Sequence, residues 1–251
     1  DVEGGDIAIE GAGLNASNVD QFDLITRTAK INADIYAKRL NVVAGRNEVD
    51  VDTLQAKAKA DDGREKPRVA IDSTALGGMY AGAISLVGTE KGVGVNLAGD
   101  MAATAGDIQI DASGQLTMNR SAASGNTTLV ADSVDLKGDT YAGGTARVEA
   151  KQVDVRESLA AGEQVKVQAE RLNNAGAIEA GVRADGSTNS AGHLQLDGGS
   201  VRNEGQLVSH GSLNTDLQKL DNADGQIAAA GSATLTAKEL DNQKGQVVAQ
   251  G

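Results

Sequence analysis

The stretch Leu172-Asn173-Asn174-Ala175-Gly176 is repeated three more times downstream, as Val201-Arg202-Asn203-Glu204-Gly205, Leu220-Asp221-Asn222-Ala223-Asp224-Gly225 and Leu240-Asp241-Asn242-Gln243-Lys244-Gly245. The asparagine at its third position falls at Asn174, Asn203, Asn222 and Asn242, so the copies follow at steps of 29, 19 and 20 residues. A period near twenty is too short for a pair of helices and too long for a heptad, but it fits one turn of a solenoid. The repeat therefore predicts a rod.

The same period extends upstream of the asparagines. Segment 142–150 aligns with segment 161–169, nineteen residues later, and Val134, Val153 and Leu172 follow the same step. We therefore expect consecutive coils of nineteen to twenty residues from about residue 125 to residue 251. The longer step of 29 residues contains an insertion at Val182–Ala191, whose Ala-Asp-Gly-Ser-Thr-Asn-Ser stretch predicts a protruding loop.

Short alternating segments predict the strands of each coil. Apolar and polar residues alternate in segments 6–10, 30–35, 107–111, 147–150, 164–169 and 193–197. Because side chains alternate between the two faces of a strand, each segment buries two or three aliphatic residues. The sequence therefore predicts an all-β fold, a right-handed parallel β-helix with rungs of 19–20 residues and one or two loops or hairpins outside it. About twelve rungs would form a rod roughly 60 Å long, since neighbouring strands lie about 4.8 Å apart.

The composition agrees with a narrow interior rather than a compact globule. Aromatic residues make up 2% of the chain, Phe22 is the single Phe, and there is no Trp or Cys. A globular core of this size normally buries several large rings, whereas Val, Ile, Leu and Ala suit a core that is rebuilt once per turn. The absence of cysteine excludes a disulfide scaffold and thiol catalysis.

Charge and hydropathy exclude several classes of partner. The net charge is −12, and no basic stripe is present that could neutralise phosphates, so we expect no nucleic-acid partner. No apolar run reaches the length of a transmembrane segment. The chain starts at Asp1 without a basic leader, so we expect a processed product or an excised piece of a longer protein.

The repeated asparagines are predicted to be structural. Asparagines at equivalent corners can stack into a ladder of side-chain hydrogen bonds, and asparagine also tolerates the left-handed backbone of a tight corner. The glycine that closes each copy is expected to serve the same end. The predicted ladder comprises Asn174, Asn203, Asn222, Asn242, Gly176, Gly205, Gly225 and Gly245.

The first hundred residues are less regular. Val51–Arg68 is polar and contains the only proline, Pro67, so we expect it to leave the rod as a hairpin or loop. Val19, Phe22 and Ile25 follow each other at i, i+3 and i+6, which predicts a short helix or a capping turn over Ser17–Thr28.

Candidate catalytic or binding groups are few. His193 and His210 lie seventeen residues apart with no nucleophile motif beside them, and we expect exposed or rung-capping roles. Asp61-Asp62 is expected to be a solvated pair, and the Gly-rich segment 88–94 lacks the Gly-Lys-Ser/Thr ending of a phosphate loop and predicts a rung corner. We expect no metal, no cofactor and no catalysis. The enzyme alternative is a β-helical polysaccharide-processing enzyme, beside which a carbohydrate-binding module stays open.

Two N-terminal stretches carry a resemblance. They read Ala33-Asp34-Ile35-Tyr36-Ala37-Lys38-Arg39-Leu40-Asn41-Val42-Val43-Ala44-Gly45-Arg46-Asn47 and Val69-Ala70-Ile71-Asp72-Ser73-Thr74-Ala75-Leu76-Gly77-Gly78-Met79-Tyr80-Ala81-Gly82-Ala83-Ile84-Ser85-Leu86-Val87-Gly88-Thr89-Glu90-Lys91-Gly92-Val93-Gly94-Val95. Together they resemble the second half of the secretion domain of filamentous-haemagglutinin-like exoproteins, the secreted partners of bacterial two-partner secretion. The Leu-Asp-Asn repeats resemble the haemagglutinin repeats that follow that domain. The Asn-Pro-Asn motifs of its first half do not occur, because Pro67 is the only proline.

The resemblance implies an organisation and a function. Residues 1–105 would form the C-terminal half of the secretion domain, and residues 106–251 a haemagglutinin-repeat shaft. The protein would be exported across the outer membrane by a dedicated transporter and act at the bacterial cell surface. Two functions are implied: adhesion to a host-cell receptor, or delivery of a distal toxin to a neighbouring bacterium in contact-dependent growth inhibition.

Overall fold

The computed structural model describes the whole chain, Asp1–Gly251, and contains strands but no helix. The strands are β1 (Asp6–Ile9), β2 (Leu14–Ala16), β3 (Phe22–Thr26), β4 (Thr28–Ile31), β5 (Ile35–Ala44), β6 (Asn47–Val49), β7 (Ala56–Ala58), β8 (Val69–Ser73), β9 (Met79–Gly88), β10 (Gly94–Leu97), β11 (Met101–Ala103), β12 (Ile108–Met118), β13 (Ser121–Ala123), β14 (Thr127–Leu136), β15 (Thr140–Ala142), β16 (Thr145–Val155), β17 (Ser158–Ala161), β18 (Gln164–Asn174), β19 (Ala177–Ala180), β20 (His193–Asn203), β21 (Gln206–Ser209), β22 (Ser212–Asp221), β23 (Gln226–Ala229), β24 (Ala233–Asp241) and β25 (Gln246–Ala249). All strands except β6 and β7 belong to one 23-stranded sheet. No helix in the structure has the length and apolarity needed to cross a membrane.

The large sheet is wound into a solenoid with three faces. Face 1 stacks β1, β4, β8 and β10 and continues through the second halves of the long strands from β12 to β24. Face 2 stacks β2, the first parts of β5 and β9, and the short strands from β11 to β25. Face 3 stacks β3, the second parts of β5 and β9, and the first halves of the strands from β12 onwards. Every strand pairing within this 23-stranded sheet is parallel, so the predicted parallel β-solenoid is confirmed, with about 12 turns of about 20 residues.

The core is a stack of aliphatic columns. Inward and outward residues alternate along each long strand, as in β12, where Ile108, Ile110, Leu116 and Met118 are fully buried. Residues of the same kind lie above one another, since the register places Leu129 beside Val148 and Val148 beside Val167. Buried hydrophobic residues form one cluster of 51 side chains that runs from Ala16 to Ala229. The repeat thus fills the interior without large rings.

Two excursions interrupt the period where the sequence predicts them. Between β5 and β9 the register step grows because β6 and β7 form an antiparallel hairpin outside the solenoid. Between β19 and β20 the chain makes a loop, which is closed by an antiparallel bridge from Val182 to Thr188. Both segments add length at a corner, so the rungs on either side keep their stacking.

Of the short helix or capping turn expected over Ser17–Thr28, the helix is wrong and a turn is present only at its start. The chain turns at 17–20 and then forms β3, which pairs in parallel with β5 from Phe22 beside Leu40 to Thr26 beside Ala44. In this strand Leu24 and Thr26 are buried, while Val19 is 43% exposed and lies outside the core. The alternation of Phe22, Leu24 and Thr26 fits the period of two that the neighbouring rung imposes, and this sheet pairing overrides the weak helical spacing.

Candidate functional site

The four repeated asparagines lie at the corner between face 1 and face 2. Asn174 and Asn203 are the last residues of β18 and β20, and Asn222 and Asn242 directly follow β22 and β24. Asn174, Asn203 and Asn222 are at most 1% exposed, because they follow an inward leucine or valine by two residues and so point into the rod.

The side-chain amides of these residues are joined from rung to rung. Asn174 Nδ2 donates to Asn203 Oδ1 at 2.8 Å, Asn203 Nδ2 to Asn222 Oδ1 at 2.7 Å, and Asn222 Nδ2 to Asn242 Oδ1 at 2.6 Å. Each donating amide also contacts a main-chain carbonyl of the next rung, at Gln206, Gln226 and Gln246. All the amides therefore point the same way along the rod, with the donor towards the C-terminal end.

The ladder has a defined beginning. Below Asn174 the same inward column is apolar, with Val155 directly under it and then, further towards the N-terminus, Leu136, Met118 and Leu97. Asn174 Oδ1 is buried and accepts no hydrogen bond, because Val155 offers no donor. The column changes from packing to hydrogen bonding at this rung.

The four glycines of the motif are placed at the same corner, but not for the reason that the sequence suggested. None of Gly176, Gly205, Gly225 and Gly245 has a positive φ. A methyl group on Gly205 would overlap the carbonyl oxygen of Gly176, and one on Gly245 would overlap that of Asn222. The left-handed residues of the last two corners are Asp224 (φ 62°) and Lys244 (φ 56°), and not the asparagines. Glycine is required here because successive corners stack in close contact.

The hairpin β6–β7 is held to the rod by a network of charges around Arg46. The Arg46 guanidinium lies 2.9 Å from Glu3 and 3.0 Å from Asp62, and Lys59 also contacts Glu3. Lys59, and then Arg46, lower the pKa of the Glu3 carboxyl from 4.5 to about 2. Val2 adds main-chain hydrogen bonds to Asn47 in both directions. The hairpin is therefore fastened to the N-terminal segment, and Asn47 Nδ2 also donates to Thr89 Oγ1 of the rung that follows it.

The Gly-rich segment 88–94 forms the corner between β9 and β10, as predicted. Lys91 in this segment is not followed by the Ser or Thr of a phosphate loop. Glu90 is buried and accepts hydrogen bonds from the Arg27 side chain at 3.3 Å and from the main-chain nitrogen of Arg46 at 3.2 Å. This buried ion pair joins three turns of the chain, and sequence reasoning missed it because the partners are separated by an excursion of unpredictable path.

The histidines and paired aspartates make no catalytic constellation. His193 Nδ1 lies 2.7 Å from Ser212 Oγ, and His210 Nε2 lies 2.6 Å from Glu179. Asp61 pairs with Lys66 at 2.7 Å. No group of three or more His, Asp or Glu side chains has a metal-binding arrangement. The structure thus brings together the predicted asparagines and leaves the histidines in separate pairs.

An open groove of about 600 Å³ follows the corner between face 3 and face 1. Small residues floor it, and its lining contains Glu149, Lys151 and Glu170 but no aromatic side chain. Glu149 is already paired with Arg147 at 2.9 Å. The groove therefore lacks both the aromatic platform and the free carboxylate pair that a polysaccharide-cleaving site would use.

Comparison with known proteins gives two consistent family matches. The TPS secretion domain model matches residues 1–118, and the haemagglutinin repeat model matches residues 103–153, 122–218 and 208–251. The repeat matches together span more than half of the chain. No solved structure matches.

Curated relatives resemble a part of the chain. It is 53% identical over 116 residues to "Toxin CdiA" of Yersinia pestis (46% of this chain), and 52% identical over 118 residues to "tRNA nuclease CdiA-2" of Burkholderia pseudomallei (47%). It is 46% identical over 139 residues to "16S rRNA endonuclease CdiA" of Enterobacter cloacae (55%). The chain spans about 4% of the length of each of these relatives. With the solenoid, the secretion-domain match and the repeat matches, the chain belongs to the filamentous-haemagglutinin-like exoproteins of two-partner secretion, which are exported to the bacterial cell surface.

Proposed function

We propose that this chain is a non-catalytic shaft that carries a distal toxin towards neighbouring bacteria. Residues 1–105 act as the C-terminal half of the secretion domain and residues 106–251 as the first part of the shaft. The observation that supports this most strongly is the unbroken sheet across the division, since β12 pairs with both β9 and β14 and the core continues through it. A rod of this kind holds a distal domain away from the cell surface, and this role needs no active site.

Toxin delivery is favoured over adhesion to a host receptor by the relatives, whose names state a toxin or a nuclease. Their activity would reside outside the part that resembles this chain. In this proposal the export partner is an outer-membrane transporter, and the receptor lies on the target bacterium.

The stacked rungs also supply a mechanism for export. Each new rung buries its aliphatic residues on the rung before it, and from Asn174 onwards it adds one amide to a ladder whose donor faces the incoming rung. The ladder fixes the register at one corner while the apolar columns supply the free energy of folding. Folding would therefore advance from the N-terminal rungs outwards as the chain emerges.

Whole-rung deletion tests the shaft. In the full-length exoprotein, removal of residues 146–164 takes out one register unit, because Ala146 lies beside Val165. We expect export and inhibition of target cells to persist. Removal of residues 146–155 alone breaks the register and is expected to abolish both. Loss of target inhibition with normal export after the whole-rung deletion would show that this segment does more than hold position.

A second variant tests for catalysis. Changing both groove carboxylates, Glu149→Gln and Glu170→Gln, is expected to leave export and target inhibition unchanged. A loss of inhibition by a protein that is exported normally would favour an enzymatic or ligand-binding groove instead.

A further inference from the structure

The three faces of the rod differ in their outward residues. The outer column of face 1 is polar, with Asp72, Asn96 and Asp154 among its members, and that of face 3 carries residues such as Arg147 and Lys166. The outer column of face 2 is almost uncharged. In stacking order it reads Asn15, Tyr36, Tyr80, Ala102, Ala122, Tyr141, Ala160, Glu179, Val208, Ala228 and Val248.

All three tyrosines of the chain lie in this column. Tyr36 and Tyr80 are on adjacent rungs, and their rings stack with centroids 5.3 Å apart and planes inclined by 21°. Tyr36 remains 46% exposed, and Leu76, on the corner that leads into the Tyr80 strand, is 77% exposed. Exposed aromatic and apolar side chains of this size are characteristic of interaction sites when they form a patch, and the stacked tyrosine pair is such a patch.

Carboxylates border the tyrosine pair on the side of face 1. Asp34 precedes the Tyr36 strand and accepts a hydrogen bond from the Tyr36 hydroxyl at 3.3 Å. Asp100 holds the equivalent corner of the next turn after Tyr80, where it pairs with the exposed Arg120. Burial raises the pKa of Tyr80, and Asp34 and then Asp100 raise it further, so both carboxylates act on this ring.

We propose that Tyr36, Tyr80, Asp34 and Asp100 form a docking surface for a basic segment of another protein, with a Lys or Arg side chain of that segment against the exposed Tyr36 ring. An aromatic face attracts cations, and guanidinium in particular stacks on it. The adjacent Asp34 strengthens the preference because it has no cationic partner within the chain, and the pairing of Asp100 with Arg120 shows that a guanidinium fits beside this column. The chain's net charge of −12 draws basic partners towards the rod, while the tyrosine pair supplies the local contact. This surface goes beyond the proposed shaft function, because a shaft needs no docking site.

The absence of Trp makes tyrosine emission a direct reporter of this site. The probe is a tetra-arginine amide peptide, titrated into the 251-residue chain at low salt, with a tetra-glutamate peptide as the reference. We expect saturable quenching by the arginine peptide alone, weakening as salt is raised. Tyr36→Ala should weaken the affinity about threefold to fivefold, in line with a cation–π contact at an exposed position. Because Tyr36→Ala removes one reporter, its affinity is checked by anisotropy of a labelled peptide.

Two matched variants separate the site from general attraction. Tyr141→Ala removes the third tyrosine of the column, whose hydroxyl donates to the Val182 carbonyl at 3.2 Å. Asp216→Asn removes one exposed charge from face 3. Neither should change the affinity, whereas Asp34→Asn, which like Asp216→Asn removes a carboxylate without a cationic partner, should lower it. Equal affinities for Tyr36→Ala and Tyr141→Ala, or equal losses for Asp34→Asn and Asp216→Asn, would identify non-specific attraction to an acidic rod and overturn the proposal.

Discussion

Replacement of the second asparagine of the ladder, Asn203→Ala, should lower the free energy of unfolding by far more than the loss of a single hydrogen bond. Asn203 is fully buried and takes part in three hydrogen bonds: it accepts one from Asn174 and donates to Asn222 and to the Gln226 carbonyl. At about 1 kcal/mol for each bond, the direct loss is about 3 kcal/mol. Asn222 Oδ1 is also left buried without a donor, which adds about 1–2 kcal/mol.

The loss should be local. In a solenoid each rung contacts only its neighbours, so the free energy of unfolding is close to a sum of rung and interface contributions. Urea unfolding followed by far-UV circular dichroism should therefore show an earlier transition for part of the signal. Amide exchange followed by mass spectrometry should place the loss of protection at β20–β24 and leave β12–β16 unchanged.

Asn242→Ala is the matched control. Asn242 accepts one bond from Asn222 and makes its remaining contact to the Gly245 carbonyl at the last rung, where the surrounding residues are exposed. The expected cost is about 1–2 kcal/mol, because two bonds are lost and solvent can replace part of them. If Asn203→Ala proves no more costly than Asn242→Ala, the ladder does not stabilise the rod and the register must be set by the apolar columns alone.

Three further results are expected. Val155→Asn places a donor beneath the unpartnered Asn174 Oδ1, whereas the equally buried Val148→Asn has Val167 above it and gains no partner. Urea unfolding should therefore show Val155→Asn to be less destabilising than Val148→Asn by about 1–3 kcal/mol. Equal losses of unfolding free energy would show that Asn174 Oδ1 does not lack a hydrogen-bond donor. Gly205→Ala should cost about 1–3 kcal/mol because its methyl meets the Gly176 carbonyl, while Gly4→Ala, which meets nothing, should be neutral, and thermal unfolding of both variants tests the contact. The pKa of Glu3 is near 2 in the folded protein and 4.5 ordinarily, so its contribution to hairpin attachment should be complete above about pH 4.5 and vanish as the pH falls towards 2. Amide exchange at β6–β7 measures this loss, and Glu3→Gln should lack the pH step. An identical pH profile for both proteins would exclude Glu3 as the titrating group.

The repeat made the fold predictable from the sequence because its period is a direct consequence of rung stacking. Both excursions could be placed for the same reason: an insertion between two aligned rungs has no room inside the rod. The predicted helix failed where one rung had no aligned copy. There, Val19, Phe22 and Ile25 were interpreted by local spacing, although the partner strand β5 decides the structure.

The chemistry of the corners was less accessible. An asparagine at a repeated position indicates an inward amide, but the sequence does not show which corner residue takes the left-handed backbone, and that residue is Asp224 or Lys244. The ion pairs Arg46–Glu3 and Arg27–Glu90 join residues that are 43 and 63 positions apart in the sequence, and they depend on the path of the hairpin. Sequence patterns therefore predict the stacked columns of the rod but not the contacts between an excursion and the rod.

Functional residues in a solenoid are arranged by rung and not by neighbourhood in the sequence. The almost uncharged outer column of face 2 could be found in the sequence, because its members Ala102, Ala122, Tyr141 and Ala160 follow at steps near the repeat period. Tyr36 and Tyr80 were hidden because the hairpin separates them by 44 residues although their rings stack. Once the excursion is removed, both tyrosines fall into the column that contains Tyr141. Alignment by rung therefore reveals both the asparagine ladder inside the rod and the tyrosine pair outside it. The inner column stabilises the stacking of the shaft, and the outer column is the one that we propose contacts a partner.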